Sequence, residues 1–94
     1  MLHMGARKEA KQEQKALSVV AKKFTRMGMI VSGYAEGGPT TLVAGVGNVP
    51  AWLVTWRSGH GYDVQAFGTD DWVGRGVPAN EIIPLTYEYM KRHL

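Results

Sequence analysis

Five aromatic side chains crowd one short stretch of the chain: Trp52, Trp56, Tyr62, Phe67 and Trp72. Aromatic rings supply large, rigid contact area and an electron-rich face toward cations, so such a cluster is a candidate ligand surface. The same rings also fill cores. Strict alternation along Trp52-Leu53-Val54-Thr55-Trp56 puts both tryptophans on one face with Val54. If that face is the core, neither tryptophan meets a ligand.

Groups able to move protons or hold a metal are few: His60, Asp63, Asp70, Asp71 and Glu81. His60 sits in the glycine-bounded Arg57-Ser58-Gly59-His60-Gly61 turn, and Asp70-Asp71 is a polar turn pair. No HxH, HxxxH or paired-carboxylate spacing gives a metal a ligand set, so neither metal nor cofactor is expected. Gly45-Val46-Gly47 contains GxG, but a hairpin surrounds it and no helix follows, so it is no phosphate loop. With no cysteine, and no serine in a nucleophile setting, covalent catalysis lacks an actor.

The remaining candidate set is cationic. Residues 6–27 read as a helix, because neither glycine nor proline interrupts them and alanine, lysine, glutamate and glutamine dominate. At about 100° per residue, Ala10, Leu17, Val20, Ala21, Phe24 and Met27 share one face. Lys8, Lys11, Lys15, Lys22 and Arg26 form a stripe opposite, spaced to follow nucleic-acid phosphates or simply to face water. The apolar face is strong only from Leu17 onward, so the second half of the helix packs and the first half projects. Seven cations against two acids give this segment a net +5, whereas the rest of the chain is −2.

These groups need elements to hold them. Ninety-four residues make one domain, near the lower size limit for an adequate unaided core. Ten of the twelve glycines lie between Gly33 and Gly76, which favours short strands and tight turns. Strand candidates are Met29–Tyr34, Thr41–Val46, Trp52–Trp56, Tyr62–Phe67 and a fifth near Ile82-Ile83. Glu36-Gly37-Gly38-Pro39 forms a loop, and Gly47-Asn48 is a two-residue hairpin signal. Pro50 marks an edge, a bulge or a late strand start. The core is Ile30, Leu42, Leu53, Val64, Val77 and Ile82, or their alternates. Gly28 caps the first helix, and Pro84 pre-sets the first turn of a last helix, Leu85 to His93.

Two segments resemble small β-barrel families. Gly76-Val77-Pro78-Ala79-Asn80-Glu81-Ile82 resembles the stretch that closes Src-homology-3 domains, where a short strand and a 3₁₀ turn lead into the last strand. Tyr62-Asp63-Val64-Gln65-Ala66-Phe67-Gly68-Thr69, followed by Ile82-Ile83-Pro84-Leu85, is similar to Tudor and PWWP domains. Pro50-Ala51-Trp52 resembles the PWWP signature with its order scrambled. The likeness covers under half of the chain. It implies a mainly β fold: a five-stranded SH3-like barrel over residues 28–94, including a short terminal helix, with the basic amphipathic helix of residues 6–27 packed on it. Residues 1–5 read as a tail or cloning remnant before a native start at Met4.

The resemblance also implies chemistry. Tudor-type aromatics cage methylated lysine, but Ala66 stands where one cage wall belongs. Src-homology-3 domains hold proline-rich segments against tyrosine, tryptophan and proline, roles open here to Pro78 with Trp52 or Trp56. No acidic loop of the kind that orients such peptides precedes Trp52. Ala51-Trp52 followed by Gly61-Tyr62-x-Val64 is similar to the plasmid-borne, trimethoprim-insensitive dihydrofolate reductases, which are oligomeric barrels. Their valine–glutamine–isoleucine–tyrosine run is replaced by Val73-Gly74-Arg75-Gly76, which removes that activity and leaves the oligomeric idea.

The expected function is therefore non-enzymatic binding of a protein peptide or nucleic acid, through Trp52, Trp56, Tyr62, Phe67 and Trp72 or through the basic helix. The alternative is a small oligomeric barrel that binds a small molecule. No apolar run approaches the roughly 18 residues of a membrane span, and no signal-peptide pattern opens the chain, so a cytoplasmic protein without a membrane partner is expected. A homodimer or small homo-oligomer is expected too, with Phe24 or Met27 as possible interface residues.

Overall fold

The computed structural model describes residues 2–33 and 41–93, with side chains described from Lys11 onward. Seven elements follow in order: α1 (Leu2–Arg26), β1 (Ile30–Ser32), β2 (Thr41–Val46), β3 (Val49–Arg57), β4 (Gly61–Ala66), β5 (Trp72–Val77) and α2 (Ala79–Arg92). The Glu36–Pro39 loop, Tyr34 and the side chains of Lys8 and Ala10 lie outside the described residues.

α1 buries one stripe. Leu17, Val20, Ala21 and Phe24 are 3% exposed or less, whereas Lys11, Lys15, Lys22 and Arg26 on the other side face water. Met27, placed with the buried stripe by spacing alone, is 38% exposed, because the helix has already turned off before it. Gly28 at φ 82° makes that turn, a left-handed cap in which the Met29 and Gly28 N–H groups donate to Phe24 and Thr25 carbonyls at 3.1 and 2.9 Å.

The strands form one antiparallel meander in the order β1-β2-β3-β4-β5. No pairing joins β1 to β5 among the described residues, so the sheet is open rather than closed on itself. Both helices lie on the same face and touch each other, α1 over β1, β2 and β3 and α2 over β4 and β5. They supply the second layer that the sheet's inward side chains need.

Register fixes which residues point inward. Three inner rows cross the sheet: Val31–Ala44–Trp52–Ala66, Leu42–Val54–Val64–Gly74 and Trp56–Tyr62–Val77. Leu42, Val64 and Ile82 are fully buried as expected. On β1 and β3 the alternates are used: Val31, Trp52 and Val54 turn inward, and Ile30 is left 57% exposed. Pro50 lies on the central strand and not at an edge. The β2–β3 register slips between Ala44 and Gly45, so Gly45 pairs with Pro50 at a bulge. A Cβ on Gly45 would stand 2.3 Å from the Val49 carbonyl oxygen, so only glycine admits this crossing.

The end of the chain departs from expectation. The fifth strand is Trp72–Val77, and Ile82-Ile83 belong to α2. Ile82, Thr86 and Tyr89 recur at helical spacing and turn toward the core, a period that outweighs the strand preference of an isoleucine pair. α2 thus begins six residues before Leu85, and Pro84 sits inside it instead of opening it. That proline withholds an N–H from the Asn80 carbonyl, a cost of about 3 kcal/mol in a free helix. The burial of Ile82 and Thr86, both 0% exposed, offsets it, and Thr86 Oγ1 donates to the Ile83 carbonyl at 2.7 Å. No helix among the described residues is long and apolar enough to cross a membrane.

Candidate functional site

The aromatic cluster is divided by the sheet. Trp52 is 5% exposed, and its indole meets the Tyr89 ring of α2 edge-on, with centroids 5.8 Å apart. Tyr62 is 7% exposed and donates its hydroxyl to the Ala16 carbonyl of α1 at 2.7 Å, and its burial raises its pKa. Both are core residues. Phe67 and Trp72 are exposed near the outer face, where the Arg75 guanidinium lies 4.5 Å from the Trp72 ring centroid. Trp56 is half-buried at the end of β3, its ring 6.5 Å from that of Tyr62.

Trp56 and Tyr62 border an open hollow of ≈ 450 Å³, completed by His60, Gly76, Val77 and Pro78. Three elements build it. The β3–β4 turn brings His60, the inner row brings Trp56, Tyr62 and Val77, and the entry to α2 brings Pro78. Pro78 is held extended at φ −74° and ψ 160°, so its ring is a fixed part of the same lining as the Trp56 indole.

One rim of the hollow is polar. His60 Nε2 donates to Asp63 Oδ1 at 2.8 Å, and the Gly76 N–H donates to the same oxygen at 2.9 Å. Asp63 is 7% exposed. Burial disfavours its charge, but the His60 and Gly76 hydrogen bonds, helped by the charges of His60 and Arg75, hold its pKa below the usual carboxylate value. The pair anchors the turn across the strands. No cluster of metal-binding side chains occurs among the described residues.

The other acids are apart from this rim. Asp70 and Glu81 face water, and Asp71 accepts the Tyr89 hydroxyl at 2.9 Å, which raises the tyrosine's pKa together with burial. Spacing signals did not connect His60 to Asp63, because a turn residue and a strand residue three apart meet only once the hairpin register is set.

On α1 a second hollow, of ≈ 280 Å³, runs between Ser18, Lys22, Thr25 and Arg26 above Ala21. It gathers the Lys22 and Arg26 cations of the basic stripe with the Ser18 hydroxyl, while the Thr25 hydroxyl donates to the Ala21 carbonyl at 2.8 Å. Lys15 and Lys11 continue the stripe about one and two turns before Ser18, and neither has a salt-bridge partner among the described residues. Comparison of the chain with family models, curated proteins and solved structures found no match.

Proposed function

We propose that this chain is a non-enzymatic binding module that takes an extended, proline-containing protein segment between Trp56 and Pro78. The observation that carries the reading is an indole and a fixed proline ring lining one open hollow of mixed polar and apolar surface. A polyproline II ridge has little conformational entropy to lose and packs well against such walls. The resemblance of Gly76-Val77-Pro78-Ala79 to the Src-homology-3 closing segment supports the same reading, since Gly76, Val77 and Pro78 line the hollow. On this reading the sheet is an SH3-like barrel left open between β1 and β5. Titrating the ¹⁵N-labelled chain with an array of proline-containing peptides tests it: the Trp56 indole and the Val77 amide should shift together. Trp56→Ala, or Trp56→Phe if alanine unfolds the chain, should remove the shift while Trp72→Ala keeps it. Peptides that leave Trp56 unmoved, or act through Trp72, overturn the proposal.

A second reading rests on α1. Ser18, Lys22, Thr25 and Arg26 form a hollow of a size and charge suited to phosphate, with Lys11 and Lys15 in line. Duplex DNA or RNA bound there should weaken with log–log salt slope of about −0.9 per phosphate contacted. Lys22→Glu should reduce that slope. Absence of binding at low salt to either nucleic acid removes this reading.

A further inference from the structure

The outer face of the sheet departs from what a water-facing sheet requires. Ser32, Val43, Leu53, Gln65 and Trp72 form one row across all five strands, opposite the helices. Ile30 and Phe67 flank the row, two positions along from Ser32 and Gln65, and are 57% and 45% exposed, and Trp72 is 46% exposed. Among the strand residues only Arg57, Asp63 and Arg75 are charged, and Asp63 is buried. A solvated face normally carries lysine and glutamate in alternation with the core positions. β2 and β3 instead read as nearly continuous apolar runs, the pattern of strands covered on both faces.

We propose that the same face of a second copy covers this one, giving a two-sheet sandwich with the helices outermost. Size favours it. Five strands about 4.8 Å apart, three to nine residues long, present a patch about 20 Å on a side, about 400 Å² in plan, which side-chain relief raises toward the roughly 600 Å² per partner of the smaller specific interfaces. Charge favours it too. The row Ser32–Val43–Leu53–Gln65–Trp72 carries no charge, so its middle meets its own copy without repulsion, while the cations of this face, Arg75 at 4.5 Å from the Trp72 ring centroid and Arg57 at the end of β3, stand at its border. Stacking sheet on sheet leaves the two +5 helical segments separated by about three layer spacings of about 10 Å, well beyond the Debye length of about 8 Å. Association through Met27 would bring those segments together, and Phe24, at 0% exposure, is closed to any partner. Edge pairing has little to offer at β1, which is three residues long.

Sedimentation equilibrium of the full chain across the micromolar range tests the inference. The wild type should move from one to two chain masses as concentration rises. Leu53→Lys and Trp72→Lys should each weaken association at least tenfold while circular dichroism shows a folded chain. Val19→Lys, on the helical layer, should associate as the wild type does. Because Trp72 is exposed, its variant keeps the test decisive if Leu53→Lys fails to fold. A wild type that stays monomeric overturns the proposal, as does unchanged association of a folded Trp72→Lys chain or dissociation by Val19→Lys alone.

Discussion

The hydroxyl of Tyr62 on β4 donates to the main-chain carbonyl of Ala16 on α1 at 2.7 Å, joining residues 46 apart in sequence. One ring thereby borders the candidate binding hollow and pins the basic helix to the sheet. Tyr62→Phe keeps the ring and removes that bond, and should cost about 0.5–1.5 kcal/mol. Chemical denaturation checks the cost. Hydrogen exchange should show the loss concentrated in faster exchange along α1.

Trp52 and Trp72 belong to the same aromatic cluster in sequence and to opposite sides of the sheet in space. Trp52→Ala should lose about 3–5 kcal/mol, because a cavity opens beneath Tyr89. Trp72→Ala should lose less than about 1 kcal/mol, the worth of its contact with Arg75. Urea unfolding of the two variants in parallel reads the difference, and equal losses would contradict the core assignment of Trp52.

Asp63 has a folded pKa below its unfolded value. Its contribution to stability is therefore complete above the ordinary carboxylate pKa and disappears as pH falls through the lowered folded value. Stability of the wild type should rise with pH across that acidic window. Asp63→Asn should flatten the rise and lower stability at neutral pH by about 1–3 kcal/mol, since charged acceptors make the stronger hydrogen bonds. Thermal melts of both chains over the acidic range measure both effects.

Gly45 and Gly28 separate two reasons for glycine. Gly45→Ala forces a methyl group to within 2.3 Å of the Val49 carbonyl, so the β2–β3 bulge must move, at a cost of about 1–3 kcal/mol or more. Gly28→Ala meets nothing within 4 Å but holds φ at 82°, and should cost only about 1 kcal/mol. Melting temperatures should rank the two variants in that order.

Local pattern alone determined much of the architecture. The apolar period from Leu17 to Phe24 marked the buried face of α1, and the Thr41–Val46 run matched β2. Gly47-Asn48 marked the β2–β3 turn, and Gly28 marked the end of the first helix. Each of these follows from backbone preference and side-chain period over neighbouring residues. The segment Ile82–Pro84 was illegible in the same terms, because its strand-like isoleucines and its proline are overruled by burial against the sheet. Which tryptophan meets water was also beyond pattern, since alternation names a face without saying which layer covers it. Only the docking of α1 and α2 on one side of the sheet put Trp52 inside and left Trp72 outside. The His60–Asp63–Gly76 rim likewise exists only after β3, β4 and β5 take their register, because its partners come from the β3–β4 turn, from β4 and from β5, which no short-range signal relates.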